Sequence, residues 1–264
     1  MQQSNTSDAK QYILDRVEAE NSYHNNLYDI IDKYALSLAD LSYSAGIQPN
    51  SFSFSHSNIK VDVDKLIARL EDELIDYIDT LAVARHTDDK DDILAYIHAT
   101  YNNDTLDDII HSHTDHWKKE VEASIAAALL TSIAKDRLIA SLKEYRTNTW
   151  RNPILLSARK AAHTNSNVKW LYSNPKTSVG NSNIGVYLLD AYGQFMVAMG
   201  WTKYFYDDAI KNGAIAFKVI RGSSYDCPIC DYECSYIHYD ISTLPPYHSH
   251  CVCVPIPIYD ISEI

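Results

Sequence analysis

The sequence predicts a mainly α protein: a body of long helices, then a small α+β module at the C-terminus built on a two-stranded sheet. Three observations predict it. Apolar residues recur at three- and four-residue steps through the first two-thirds of the 264 residues. Glycine (7) and proline (8) are scarce while hydrophobic residues make up 46%, a balance that favours long, uninterrupted elements. After Gly213 the period becomes strand-like, and all five cysteines lie between 227 and 253. The expected division is a helical domain over 1–150 and a second domain over 151–264, with a ligand-rich segment at 215–260. A chain of this length can bury one large or two modest cores.

In order, Ser7 is placed to cap a helix from Asp8, preceded by a frayed end. Its stripe is Ile13, Leu14, Val17, Tyr23, Leu27, Ile30, Ile31, Tyr34, Leu38 and Leu41, ending near Gly46. Residues 47–58, Ser-rich with alternating Phe, read as a loop or edge strand. A second helix spans about Val61–Arg85, with Leu66, Ile67, Leu70, Leu74, Ile75, Ile78 and Leu81 on one face. A short helix follows around Ile93–Tyr101. Thr105 with Asp108 makes an acidic variant of a capping box and opens a third long helix to about Arg146, whose alanine-rich middle, Ala123–Ala128, lets another helix approach closely. Near its start, His113 and His116 share a face, as do His111 and Asp115, a pattern expected mainly of exposed polar residues. Asn152-Pro153 begins a further helix to about His163, the polar run Thr164–Asn183 is a hinge or arm, and helical periodicity resumes from Ile184 until Gly213 stops it.

The C-terminal segment carries the chemistry. Ala216–Arg221 and Val252–Ile258 read as strands, and Pro255 and Pro257, lacking amide donors, make the second an edge strand. Between them lie Cys227-Pro-Ile-Cys230 and, about twenty residues on, His248-Ser-His-Cys251-Val-Cys253. Thiolates and imidazole at these spacings are what a tetrahedral Zn²⁺ takes, so the segment reads as a structural zinc site. Cys227 and Cys230 form the first pair and His248 and Cys251 the second. Cys253 is the competing donor; in a strand it points away from Cys251, so one of the two joins. Cys234, His238 and His250 are spare donors. Disulfides are disfavoured by the odd cysteine count and by an N-terminus without a signal pattern, and unpaired buried thiols by the clustering with histidine at ligand spacing.

A long helix, Gly213, a strand ending near Arg221, Asp226-Cys-Pro-Ile-Cys, then Leu244-Pro-Pro-Tyr-His-Ser-His-Cys-Val-Cys-Val-Pro resembles the C-terminal domain of phage head-morphogenesis proteins, the Mu F-like minor head proteins. That family's pattern is close to Asp-x-x-Cys-x-x-Cys, then Pro-Pro-x-His-Pro-Asn-Cys-Arg-Cys. Cys227, Cys230, His248, Cys251 and Cys253 fall on its Cys and His positions. Ser249, His250 and Val252 depart from it, and Asp226 lies directly beside Cys227. The resemblance covers about 152–258. It implies a structural, non-enzymatic component of a tailed-phage head, at the portal vertex or inside the capsid, acting in assembly or genome delivery with portal or capsid proteins as partners.

Charge narrows the classes. The net charge of −12 argues against a protein that wraps nucleic acid as a whole. Val61–Glu120 holds 16 acidic against 6 basic residues, while Lys135–Lys176 holds 9 basic against 2 acidic, so contact with packaged DNA is expected only through 135–176, where Trp150, Trp170 and Tyr172 lie among the cations. No apolar run is long enough to span a membrane; the expected location is the virion, after synthesis in the host cytoplasm. Two alternatives are a zinc-containing nucleic-acid-binding module and a treble-clef-type nuclease with His248 or His250 as base. The first is opposed by the acidic zinc segment, the second by the lack of a second set of metal and polarising residues.

Overall fold

The structure is a computed structural model that describes residues 2–85, 87–100, 103–145 and 185–263. The expected helix at 152–163, the polar run 164–183, and residues 146–176 of the basic stretch, with Trp150, Trp170 and Tyr172, lie outside the described residues. The chain is mainly helical, with a small antiparallel sheet near its C-terminus. Its elements are α1 (Gln2–Ser44), α2 (Lys60–Ala82), α3 (Lys90–Ile97), α4 (Leu106–Leu130), α5 (Lys135–Tyr145), α6 (Gly185–Lys211), β1 (Ala216–Ile220), α7 (Pro228–Glu233), β2 (Ile237–His238) and β3 (Val254–Ile258).

Several elements differ in extent from expectation. Helix α1 is unbroken and begins at Gln2, ahead of the Ser7 cap. The third long helix breaks into α4 and α5 at Ser132, which adopts a left-handed φ of 54°. There the Ile133 amide donates to Ala128 O and the Ser132 amide to Leu129 O. Gly213 (φ 90°) ends α6 with the same pair of bonds, Ala214 to Ala209 and Gly213 to Ile210. Both are Schellman stops; only the one built on glycine announces itself in the sequence.

The chain forms two compact units, and α1, α2 and α6 each contribute to both. One comprises Asn26–Ile75 and Asp107–Asp190. Its buried residues include Leu27, Ile31 and Leu38 of α1, Leu70 and Leu74 of α2, and Ile110, Ile125 and the alanines 123 and 126–128 of α4. The Ser-rich loop is anchored here: Phe52 and Phe54 are buried with ring centroids 5.9 Å apart, and Ser53 donates to Glu122 at 2.9 Å. Gly185 lies so near α4 that a Cβ would sit 2.6 Å from the Trp117 backbone.

The other unit comprises Met1–Asn25, Asp76–Leu106 and Ala191–Ile264. The chain thus groups its first residues with its last; the boundary expected at residue 150 lies outside the described residues. Glycines of α6 permit close packing: a Cβ on Gly200 would meet that of Ala82 at 2.6 Å, and one on Gly193 would lie 2.0 Å from the ring of Tyr23. Trp201 Nε1 donates to Leu81 O at 2.9 Å.

The sheet has three strands in the order β2-β1-β3, all antiparallel, rather than the two expected. The added strand β2 is two residues long, too short to show alternation. β1 pairs Phe217 with both His238 and Pro257. Pro255 and Pro257 sit on an edge strand, as their missing donors require.

Gly193→Ala is expected to destabilise the protein by roughly 1–3 kcal/mol, since the fully buried Tyr23 ring leaves no room for the methyl group. An unchanged urea unfolding midpoint would show that this contact does not exist.

Candidate metal centre

Local conformation aims the donors. Cys227 is extended and immediately precedes α7, with Pro228 at the first helical position. The helix then carries Cys230 and ends at Cys234, whose amide donates to Cys230 O at 2.9 Å. Cys230 and Cys234, at i and i+4, fall on one helical face, and the extended Cys227 lies just ahead of the first turn. The second group is a turn closed by the Cys251 amide on His248 O at 3.1 Å, with His250 in the left-handed region at φ 61°. Gly222 lets the two groups meet: a Cβ there would overlap Val252 O at 1.7 Å.

The result is two triads that share Cys230. In one, Cys227, Cys230 and His248 place their donor atoms within 4.8 Å of one another; in the other, Cys230, Cys251 and Cys253 do the same. His248 Nε2 lies 3.3 Å from Cys227 Sγ and 3.1 Å from Cys230 Sγ, and Cys230 Sγ lies 3.9 Å from Cys251 Sγ. Two sulfurs bound tetrahedrally at about 2.3 Å to one ion stand about 3.8 Å apart, so the cluster can hold a metal ion. Cys251 and Cys253 do not point to opposite faces as expected: β3 starts only at Val254, so the pleat that would separate them has not begun. Of the spare donors, Cys234 Sγ lies 3.9 Å from Cys253 Sγ, whereas His238 binds Glu233 O at 2.9 Å and His250 Nδ1 lies 3.2 Å from Gln194 Oε1.

The electrostatics favour thiolate at Cys227 and at the buried Cys251. The neighbouring Cys230 amide and thiol hold the Cys227 thiol below its usual range, and the hydrogen bond with Cys253 holds Cys251 down to about 5. Burial pushes Cys230 up to about 12. Cys253 moves further in the same direction, first through its bond to Cys251 and then through burial. Burial alone would lower His248, but the Ser249 carbonyl and the thiols of Cys251 and Cys227 raise it overall.

A buried polar network, missed in the sequence, backs the centre. Arg16 of α1 is fully buried, and its Nη2 donates to Cys251 O. Its Nε lies 3.0 Å from Glu20 Oε1, and its guanidinium sits 5.9 Å from the Tyr12 ring centre. Tyr12 and Thr202 hydroxyls are 3.0 Å apart, and Thr202 donates to Pro245 O at 2.7 Å, tying down the approach to His248. Tyr12, Arg16, Glu20 and Tyr23 follow the spacing of an apolar stripe; a charge pair standing within such a stripe was the available signal.

The histidines of α4 form no comparable group among the described residues. His111 Nδ1 is 3.0 Å from Glu71 Oε1, and His116 Nε2 is 3.3 Å from Glu120 Oε1. Burial and the neighbouring His116 lower His113. No described helix is long and apolar enough to cross a membrane.

Cys227→Ser should release bound metal and destabilise 215–260 by a few kcal/mol, because ligand loss is folding free energy lost locally. Hydrogen exchange should show the change confined to the unit that contains the centre; equal loosening of Asn26–Ile75 would contradict the local picture. A second expectation concerns pH. Burial raises Glu20 from 4.5 to about 7 against the pull of Arg16. The shift is upward, so its contribution favours folding fully below 4.5 and is lost as pH rises through about 7. Glu20→Gln removes that dependence and should gain on the wild type by roughly 3 kcal/mol across this window; urea titrations in which the difference stays flat with pH would refute it.

No protein-family model, curated protein or solved structure matches this chain.

Proposed function

We propose that the chain is a structural minor head protein of a tailed phage whose C-terminal module is stapled by Zn²⁺ held by Cys227, Cys230, His248 and Cys251. The observation that supports this reading is the convergence of Cys-x-x-Cys and His-x-x-Cys-x-Cys into two triads that share Cys230, behind a helix, a Gly213 stop and a strand. That order of elements accompanies the same motif in the Mu F-like pattern, and the donor set of thiolates and imidazole is one that suits zinc over harder cations. A structural role is supported by the engagement of both imidazoles in the wall of the cavity they line with Arg221 and Tyr225, His248 among thiols and His250 on Gln194. The ion's part is to hold two turns together; portal or capsid proteins are the partners proposed for the whole chain.

Direct contact with packaged DNA is proposed only for the basic stretch 135–176. In its described part, Lys135 pairs with Asp40, and Lys143 lies 3.2 Å from Asp32, so those cations are already compensated. The test is mass spectrometry of purified virions: the protein is expected as a low-copy component, and its absence from particles that package DNA normally would overturn the assignment.

A further inference from the structure

We propose that the centre takes two zinc-type ions rather than one, bridged by the thiolates of Cys230 and Cys251, with Cys227 and His248 completing one ion and Cys234 and Cys253 the other. The proposal rests on the zinc reading above and extends it to Cys234, which lies outside both the x-x spacing and the head-protein pattern.

The argument starts from number. A pair of tetrahedral ions sharing two ligands needs six donors, two bridging and two terminal on each side. Five thiols and His248 supply six. Position then assigns them. Cys230 belongs to both triads, as a bridging sulfur does; Cys251 belongs to the second and lies 3.9 Å from Cys230, so serving as the second bridge requires it to draw in toward Cys227 and His248 as the ions bind. Cys227 and His248, 3.3 Å apart, stand on one side of that shared edge. Cys253 stands with the edge in the second triad, and Cys234 lies 3.9 Å from Cys253. The separations of 3.9 Å match the roughly 3.8 Å edge between two sulfurs on one ion, and are far from the ~2.05 Å of a disulfide.

The local fold supports the same assignment. Helix α7 carries Cys230, with Cys227 just before its first turn and Cys234 just after its last, so the shared ligand lies between the two terminal ones. The segment 251–253 lies ahead of the pleat of β3, so its two sulfurs can face the same side. Cys230, Cys251 and Cys253 are all buried in the module's small core, where uncoordinated thiols would bring no apolar bulk beyond a methyl-sized group. Charge is manageable: two dications against five thiolates and a neutral imidazole leave one net negative charge. Two guanidiniums flank it, Arg16 on the Cys251 carbonyl and Arg221, which is bonded to Asp231 and to Tyr225 O beside α7.

Full-length protein purified without chelator is tested for metal by elemental analysis and native mass spectrometry, then exchanged with Co²⁺. Two ions per chain are expected, with a depressed magnetic moment per cobalt from coupling through the bridging sulfurs. Cys234→Ala should hold one ion with the full moment of an isolated cobalt. A wild-type stoichiometry of one, with Cys234 and Cys253 open to iodoacetamide in the folded protein, overturns the two-ion centre and leaves the single-ion staple standing. No bound metal overturns both. Two magnetically independent cobalts, or two ions retained in Cys234→Ala, also overturn the bridged arrangement; the wild-type magnetism decides if that variant does not fold.

Discussion

The C-terminal module depends on thiol convergence because it has little else to close it. Its strands are five, two and five residues long, and a sheet of that size is not stable on its own in water. The buried cluster beneath it comprises Ala209, Ala214, Phe217, Val219, Leu244 and three cysteines. Cysteine brings only a small apolar volume, so a cluster rich in it is a poor hydrophobic core and a good ligand sphere. Coordination of an ion there, as proposed, would convert that weakness into cohesion, since binding free energy at such sites is folding free energy. Everything that aims the donors follows from this: the N-terminal proline of α7, the glycine at 222 that lets the chain pass Val252, and the left-handed residue at 250.

The module is also joined to the far end of the chain. Arg16 and Cys251 are separated by 235 positions, yet the guanidinium binds the carbonyl of a ligand residue. Tyr12 reaches the same loop through Thr202 and Pro245. This explains why residues 1–25 group with 191–264: the first turns of α1 supply the wall against which the second ligand turn is set. The long contact separation adds loop-closure entropy to the formation of this unit.

Much of the molecule was legible in the sequence where one period or one residue type dominated. The stripe of α1 from Tyr23 to Leu38, that of α2, the Gly213 stop and the change of period at Ala216 appear where the periodicity and turn chemistry place them. The ligand residues were legible because cysteine and histidine are distinctive and their spacing is chemical. What escaped was set by tertiary contact. Ser132 takes a left-handed stop usually given to glycine, so the break between α4 and α5 leaves no sign. β2 has two residues and no alternation. Leu14 was placed in the stripe of α1 and is 56% exposed, while Arg16 is buried; hydrophobicity alone ranks those two the wrong way round. The facing of Cys251 and Cys253 turned on where β3 begins, a boundary that composition does not mark.

The buried guanidinium explains why metal suits this cluster better than free thiols do. Taking a charge out of water costs several kcal/mol, and a single ion pair rarely recovers it. Arg16 has one such partner, Glu20, and burial drives that carboxyl toward its neutral form. Its Nη1 finds no hydrogen-bond acceptor among the described residues. The Cys251 thiol, held down to about 5, already brings negative charge toward the arginine. A thiolate-rich metal centre of the kind proposed would carry net negative charge at short range in a low dielectric, which would offset the desolvation of Arg16 and in turn be stabilised by it. The arginine and the ligands then form one electrostatic unit, in which neither half is well accommodated without the other.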